Sequence, residues 1–197
     1  MPRHGRKEDV VAAAVALFSR KGYHGTTVRD IALESGMLSG SLYAHIESKE
    51  DLLYEIVLGA AERFMAAVGV ALDSRQPAAA KLRGAMKGHL RVMAESREAA
   101  AIFMHEWKAL SPERRAVIAE KRRNYEGAFA AIIAEGVAVG DFRPVDEKFA
   151  RLLVLSAVNW LYQWYDPSGP LGPDAVADRF ADLIVHGLVS HKGGGES

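Results

Sequence analysis

The chain has 197 residues, about half of them apolar, which is enough for a real core in one or two small domains. Lys plus Arg and Asp plus Glu stand at 25 each, so no global basicity announces a polyanionic partner. The absence of cysteine excludes disulfides, thiolate metal sites and cysteine nucleophiles.

No apolar run approaches membrane-spanning length, and the opening MPRHGRKEDVV lacks the apolar core of a signal peptide. A soluble, cytoplasmic protein with no membrane partner is expected. Helical periodicity runs from end to end and no stretch alternates as a strand, which predicts an all-α fold.

The first helix is expected from about Glu8 to Lys21, with Val10, Ala14, Leu17 and Phe18 on one face and Gly22 closing it. Thr27 with Asp30 three residues on has the form of a capped start for the second helix. Ile31 and Ala32 face inward there, and Gly36 ends it, because glycine takes a left-handed conformation at little cost. A third short helix, about Ser39 to Ile46, anchors itself through Leu42 and Ile46. It turns Gly40, Ser41, Tyr43 and His45 outward. Helix four starts at Ser48-x-x-Asp51 and carries Leu53, Ile56, Val57, Phe64 and Val68 as a stripe to about Ser74. Gln76-Pro77 breaks the chain before a helix from about Ala78 to Glu95, and a shorter one holds Ile102, Phe103 and Trp107. Ser111-Pro112 reads as a cap followed by proline at the first helical position, opening a helix that stops at Gly140-Asp141. The eighth helix is expected from about Asp146 to Tyr165, and the ninth from about Asp174 to Ser190 after the DPSGPLGP loop.

Two short crossed helices, the second presenting small polar residues and an aromatic, predict a helix-turn-helix over about 27–46, aimed at a DNA major groove. Locally, residues 1–46 hold Arg3, Arg6, Lys7, Arg20, Lys21 and Arg29 against Glu8, Asp9, Asp30 and Glu34, with His4, His24 and His45 nearby. That slight basic excess doubles across the two half-sites of a dimer, where amides and hydroxyls share the phosphate contacts.

The stretch resembles the DNA-binding domain of the tetracycline-repressor-like (TetR) family over about the first 55 residues. Its carriers are Leu17-Phe18, Lys21-Gly22-Tyr23, Thr27-Val28-Arg29-Asp30-Ile31-Ala32, Gly40-Ser41-Leu42-Tyr43-Ala44-His45-Ile46 and Lys49-Glu50-Asp51-Leu52. Two positions depart from the family pattern. Leu38 stands where the family places a turn serine, leaving Ser39 as the expected cap, and Ile46 replaces the closing phenylalanine. The resemblance, with the outward placement above, assigns Tyr43, His45, Lys49 and Thr27 to phosphates, and Arg29, Ser39, Gly40 and Ser41 to base edges of double-stranded operator DNA. It divides the chain into a DNA-binding domain at 1–50, a ligand-binding and dimerisation domain at 51–190 and a flexible tail at 191–197.

The run KFARLLVLSAVNWLYQWY is apolar nearly all round and is expected to be buried on several sides. Asn159 and Gln163 within it need hydrogen bonds. Either they satisfy each other, a neighbouring backbone or a subunit interface, or they line a ligand chamber. Phe64, Phe103, Trp107, Trp160 and Trp164 are candidates for the same chamber, although aromatics at helical spacing also simply pack a core. A homodimer joined through the eighth and ninth helices is expected: Val176, Phe180, Leu183, Ile184, Gly187 and Leu188 form a broad stripe that suits a two-fold interface, the alternative being that this face packs only onto the eighth helix within one subunit.

The segment from Phe142 to Val176 and the G-x-L-S-G-S-L-Y turn are similar to a narrower branch of the family that responds to acyl-coenzyme A thioesters. That similarity implies a repressor released from DNA by an acyl-CoA inducer and needing no other cofactor. Arg91, Arg97, Lys108, Arg114, Arg115, Lys121, Arg122 and Arg123 are on hand for phosphates, or are solvated helix faces. A multidrug-type sensor of diverse lipophilic compounds is the alternative. An enzyme is not expected. His105-Glu106 lacks the second histidine of a zinc-protease helix, and no phosphate loop or nucleophile elbow is present. A metal-responsive regulator using His89 and His105 stays open.

Overall fold

The computed structural model describes residues 6–187. Among them ten α-helices and one 3-10 turn follow one another without a strand: α1 (Arg6–Lys21), α2 (Val28–Glu34), α3 (Ser39–Leu42), α4 (Lys49–Leu72), α5 (Ala78–Glu95), α6 (Arg97–His105), the 3-10 turn (Glu106–Ala109), α7 (Pro112–Val139), α8 (Glu147–Asn159), α9 (Leu161–Trp164) and α10 (Pro173–His186). The all-α expectation holds. The one added helix comes from a break at Trp160, where the expected eighth helix divides into α8 and α9. No helix among the described residues is long and apolar enough to cross a membrane.

The elements end where local chemistry ends them. Gly22 closes α1 at φ +73°, its amide donating to the Phe18 carbonyl at 3.0 Å. Gly36, at φ +67°, closes α2 in a Schellman arrangement: its amide reaches Leu33 at 3.1 Å while Met37 reaches back to Ala32 at 2.8 Å. The Ser48–Asp51 box at the start of α4 forms as expected, with Asp51 N to Ser48 Oγ at 3.2 Å and Ser48 Oγ to Asp51 Oδ2 at 2.8 Å.

The helices fall into two compact units. The first combines the chain up to Ala66 with Glu95–Tyr125, so α6 and the first half of α7 belong with the helix-turn-helix. Phe18, Ile31, Leu42, Leu52, Leu53 and Phe64 are buried in it, and α1 packs on both α2 and α6. Polar ties join α4 to α7 within this unit. The Ser111 amide donates to Glu50 Oε1 at 3.0 Å, and Arg114 donates to Asp51. The Arg114 guanidinium, followed by the Ser48 bonds, holds the Asp51 carboxyl below the usual carboxylate range.

The second unit is built from Ala67–Ala94 and the chain from Glu126 onward. Its α4 and α5 segments approach closely at Gly88, where a Cβ would lie 2.6 Å from the Ala67 carbonyl oxygen. Along α5, Arg83, Lys87 and Arg91 meet Asp182, Asp178 and Asp174 of the antiparallel α10 as a ladder of ion pairs. His89 is wholly buried on the same helix. Its ring bonds the Val158 carbonyl, and burial pushes its pKa down to about 3.

Candidate nucleic-acid interface

The helix-turn-helix grows from three local devices. A capping box fixes the start of α2, with Asp30 N donating to Thr27 Oγ1 at 3.1 Å and Thr27 N to Asp30 Oδ2 at 2.9 Å. The same Thr27 hydroxyl donates to Asp30 at 2.8 Å, and these bonds hold the Asp30 carboxyl below its ordinary range. The Gly36 turn then sets the crossing of α2 and α3. Finally Leu42 and Ile46, both buried, seat α3 against the unit.

This leaves Thr27, Arg29, Ser39, Gly40, Ser41 and Tyr43 exposed and His45 half-buried. A Cβ at Gly40 would meet nothing within 4 Å, so the fold itself does not require glycine there. The helical part of α3 is shorter than expected. It runs to Leu42 and continues as turns, with the His45 amide on the Leu42 carbonyl at 2.8 Å.

Two expectations about this face change. Lys49 does not extend toward a phosphate. Its Nζ donates to the backbone carbonyls of Tyr23 at 2.8 Å and Thr26 at 2.7 Å and lies 4.1 Å from the centre of the Tyr23 ring. It is a clamp on the α1–α2 connection, and the desolvation of that position lowers its pKa. Ser39 does not cap α3 either. Leu38 is the N-cap, in extended conformation with no side-chain cap bond, because the helix already starts one residue earlier than a serine cap at 39 requires.

The local cations are largely neutralised inside the unit. Arg20 pairs with Glu34 at 2.9 Å, Lys21 lies 3.9 Å from Asp30, and Lys7 pairs with Glu55 at 3.0 Å. Among the described residues the outward face carries hydroxyls, Gly40, Arg29, Tyr43 and an unexpected leucine. Leu38 is 80% exposed.

The expected ligand residues are distributed over both units. In the first, Phe64 and Phe103 stack at 5.4 Å and are fully buried, while the Arg122 guanidinium lies 4.8 Å from the Phe103 ring centre and 5.3 Å from that of Trp107. In the second, Gln163, Trp160 and Trp164 are exposed, and Trp164 meets Phe180 edge to face. Asn159 Oδ1 is buried with no hydrogen-bond partner, so Asn159 and Gln163 do not satisfy each other through that oxygen. Several cations offered for phosphates are engaged: Arg91 with Asp174, Arg114 with Asp51, Lys121 with Glu62. Among the described residues, no cluster of three or more His, Asp or Glu side chains is placed to hold a metal ion.

The eighth-helix run is less buried than its composition implies, since Phe149, Leu152, Leu153 and Trp160 stand exposed. On α10, Val176 is buried, Phe180 and Ile184 are half-buried, and Leu183 is exposed. Gly187 ends α10 at φ +73°, which calls for glycine whatever lies opposite, and Leu188 lies outside the described residues, as does the tail. Sequence reasoning missed a surface cavity of about 850 Å³ in this unit, lined among others by Leu82, Phe142, Phe149, Leu153 and Ile184. Phe142 and Phe149 were its legible signals.

A helix-turn-helix head with an outward face of small residues, on a chain whose described residues form helices and no strand, defines a DNA-binding regulatory protein. The family model for bacterial regulatory proteins of the tetR family matches residues 10–56, and that for a tetracyclin repressor-like C-terminal domain matches residues 75–188. The chain belongs to the TetR family, and it is a regulator rather than an enzyme. It is 31% identical to the HTH-type transcriptional repressor KstR2 of Rhodococcus jostii, over 95% of this chain and 93% of that one. Among solved structures it is similar to the TetR family transcriptional regulator PfmR from Thermus thermophilus (TM-score 0.84, 38% identity, 92% of this chain and 99% of that one). It is also similar to AibR, solved in complex with isovaleryl coenzyme A and operator DNA (TM-score 0.80, 27% identity, 90% and 97%).

Proposed function

We propose that the chain is a homodimeric repressor whose hold on operator DNA is released by an acyl-CoA thioester. The observation that carries the ligand class is the likeness to AibR, whose structure holds both isovaleryl coenzyme A and operator DNA at 27% identity over nine tenths of this chain. Thr27 and His45 join Tyr43 at phosphates, and Arg29, Ser39, Gly40 and Ser41 face base edges. The buried acceptor of Asn159 supports a polar ligand contact in the second unit. Phe64 and Phe103 are buried against each other in the first unit and pack its core there. Exposed Trp160, Gln163 and Trp164 suit either a ligand or the second subunit. No cofactor beyond the inducer enters this reading, and the chain works in the cytoplasm.

Release is a coupling free energy. A ligand that binds the DNA-incompetent dimer better by a factor of ten weakens operator affinity by the same factor. The test is a gel shift on the gene's own upstream region, titrated with acyl-CoAs of rising chain length, free coenzyme A and free acids. Each buried methylene contributes about 0.8 kcal/mol, so potency should rise roughly fourfold per carbon until the cavity fills. Free coenzyme A and free acid should act weakly. Release by lipophilic cations and not by any acyl-CoA would replace the reading with a multidrug sensor.

A further inference from the structure

Leu38 breaks two positional rules at once. It occupies the N-cap of α3, where Ser, Thr, Asp or Asn would satisfy a backbone amide, and it makes no cap bond. It is also an 80% exposed leucine, standing in water at the front of the helix that faces the groove. Isolated exposed apolar residues need no explanation, but a leucine that forgoes a cap as well is a local inconsistency of the kind found at functional positions. Its neighbours sharpen the point. Ser39, Gly40 and Ser41 are all small and exposed, so Leu38 is the longest side chain among residues 38–41, with open space around Gly40.

Among the base-pair edges of the major groove, the apolar feature is the C5-methyl of thymine. We infer that Leu38 reads a thymine methyl in each half-site and is a specificity-determining residue of the operator contact. The inference rests on the operator-binding reading above and adds to it a base and an atom. Serine at this position would cap the helix and be indifferent to the methyl. Leucine gives up the cap and gains a contact that only a methylated pyrimidine returns.

The test uses the full chain and DNA duplexes enriched by it from a random pool. Each thymine of the selected site, with its symmetry mate, is replaced by deoxyuridine, which removes only the methyl. At one symmetric position wild-type affinity should fall about fourfold per half-site, the value of one methyl taken out of water. Leu38→Ala should bind the thymine site that much more weakly and be indifferent to deoxyuridine at the same position. Leu33→Ala, a change at the equally exposed leucine of α2, should keep the methyl dependence. A wild-type protein insensitive to deoxyuridine everywhere overturns the inference, as does methyl dependence that survives in Leu38→Ala or vanishes in Leu33→Ala. In those cases sequence-selective binding still stands. A pool that enriches no sequence overturns the operator reading itself, and this assignment with it.

Discussion

Lys49 shows how one side chain's partners decide its role. An ammonium shared between the carbonyls of Tyr23 and Thr26 fixes the loop that carries α2, and a charged hydrogen bond of this kind contributes about 1.5 to 3 kcal/mol. Lys49→Met should lower the unfolding free energy by about 2 kcal/mol while leaving the salt dependence of DNA binding unchanged. A slope flattened by one phosphate contact would return Lys49 to the interface. Tyr43→Phe, at an exposed position, should instead weaken binding to all sequences without altering the melt. His89 makes a second residue-scale prediction. Its ring is buried neutral, with a pKa of about 3, whereas in the unfolded chain it takes up a proton below about 6.5. The unfolded state therefore binds more protons as pH falls, and stability is lost from pH 6.5 downward at up to about 1.4 kcal/mol per pH unit. Urea melts of wild type and His89→Gln should converge by about 2 kcal/mol between pH 7 and pH 5. A constant difference over that range would show that His89 is not the titrating group. The capping residues Thr27, Asp30, Ser48 and Asp51 were legible because their partners lie three residues away. Lys49 was not, since its acceptors are backbone carbonyls 23 and 26 residues distant.

At the scale of elements, periodicity and punctuation placed most helix starts and stops, and long-range pairing was what they left out. The ladder of Arg83, Lys87 and Arg91 against Asp182, Asp178 and Asp174 has i, i+4 spacing on both helices. Nothing local says that α5 and α10 run side by side. The break at Trp160 was illegible for the opposite reason, since no glycine or proline punctuates the run from Lys148 to Tyr165. Gly88 carries the element-scale prediction. Alanine is better than glycine in a helix by about 1 kcal/mol on propensity alone. Here its Cβ would sit 2.6 Å from the Ala67 carbonyl oxygen and 3.3 Å from the Ala67 methyl. Backbone cannot give way as a flexible side chain does, and overpacking costs about 1 to 3 kcal/mol. Gly88→Ala should thus destabilise despite its propensity, which thermal melts would register. A rise in melting temperature would mean that α4 and α5 can part there without penalty.

For the whole molecule, the question is what covers the apolar surface of the second unit. Phe149, Leu152, Leu153, Trp160 and Trp164 of α8 and α9 and Leu183 of α10 are between 43% and 68% exposed, and all lie in that unit. Exposed apolar residues grouped on neighbouring elements mark an interaction surface, and a two-fold axis lets one such patch serve both partners. A stable interface needs roughly 1,000 Å² or more, and six large side chains on three helices are of that order. The stripe read from the sequence shared only Leu183 with this exposed set, because periodicity shows which residues lie on a face but not which face another helix of the same chain already covers. Val176 is the example, with 5% exposure. Reading successive major grooves about 34 Å apart requires two heads on one dimer. Dimerisation and operator binding should therefore fail together. Leu153→Glu combined with Leu183→Glu places like charges on the proposed face and should yield a folded monomer by sedimentation at micromolar concentration. The same variant should lose operator affinity by a hundredfold or more while keeping an unchanged helical spectrum. A wild-type monomer at that concentration, or a double variant that stays dimeric, would move the interface elsewhere.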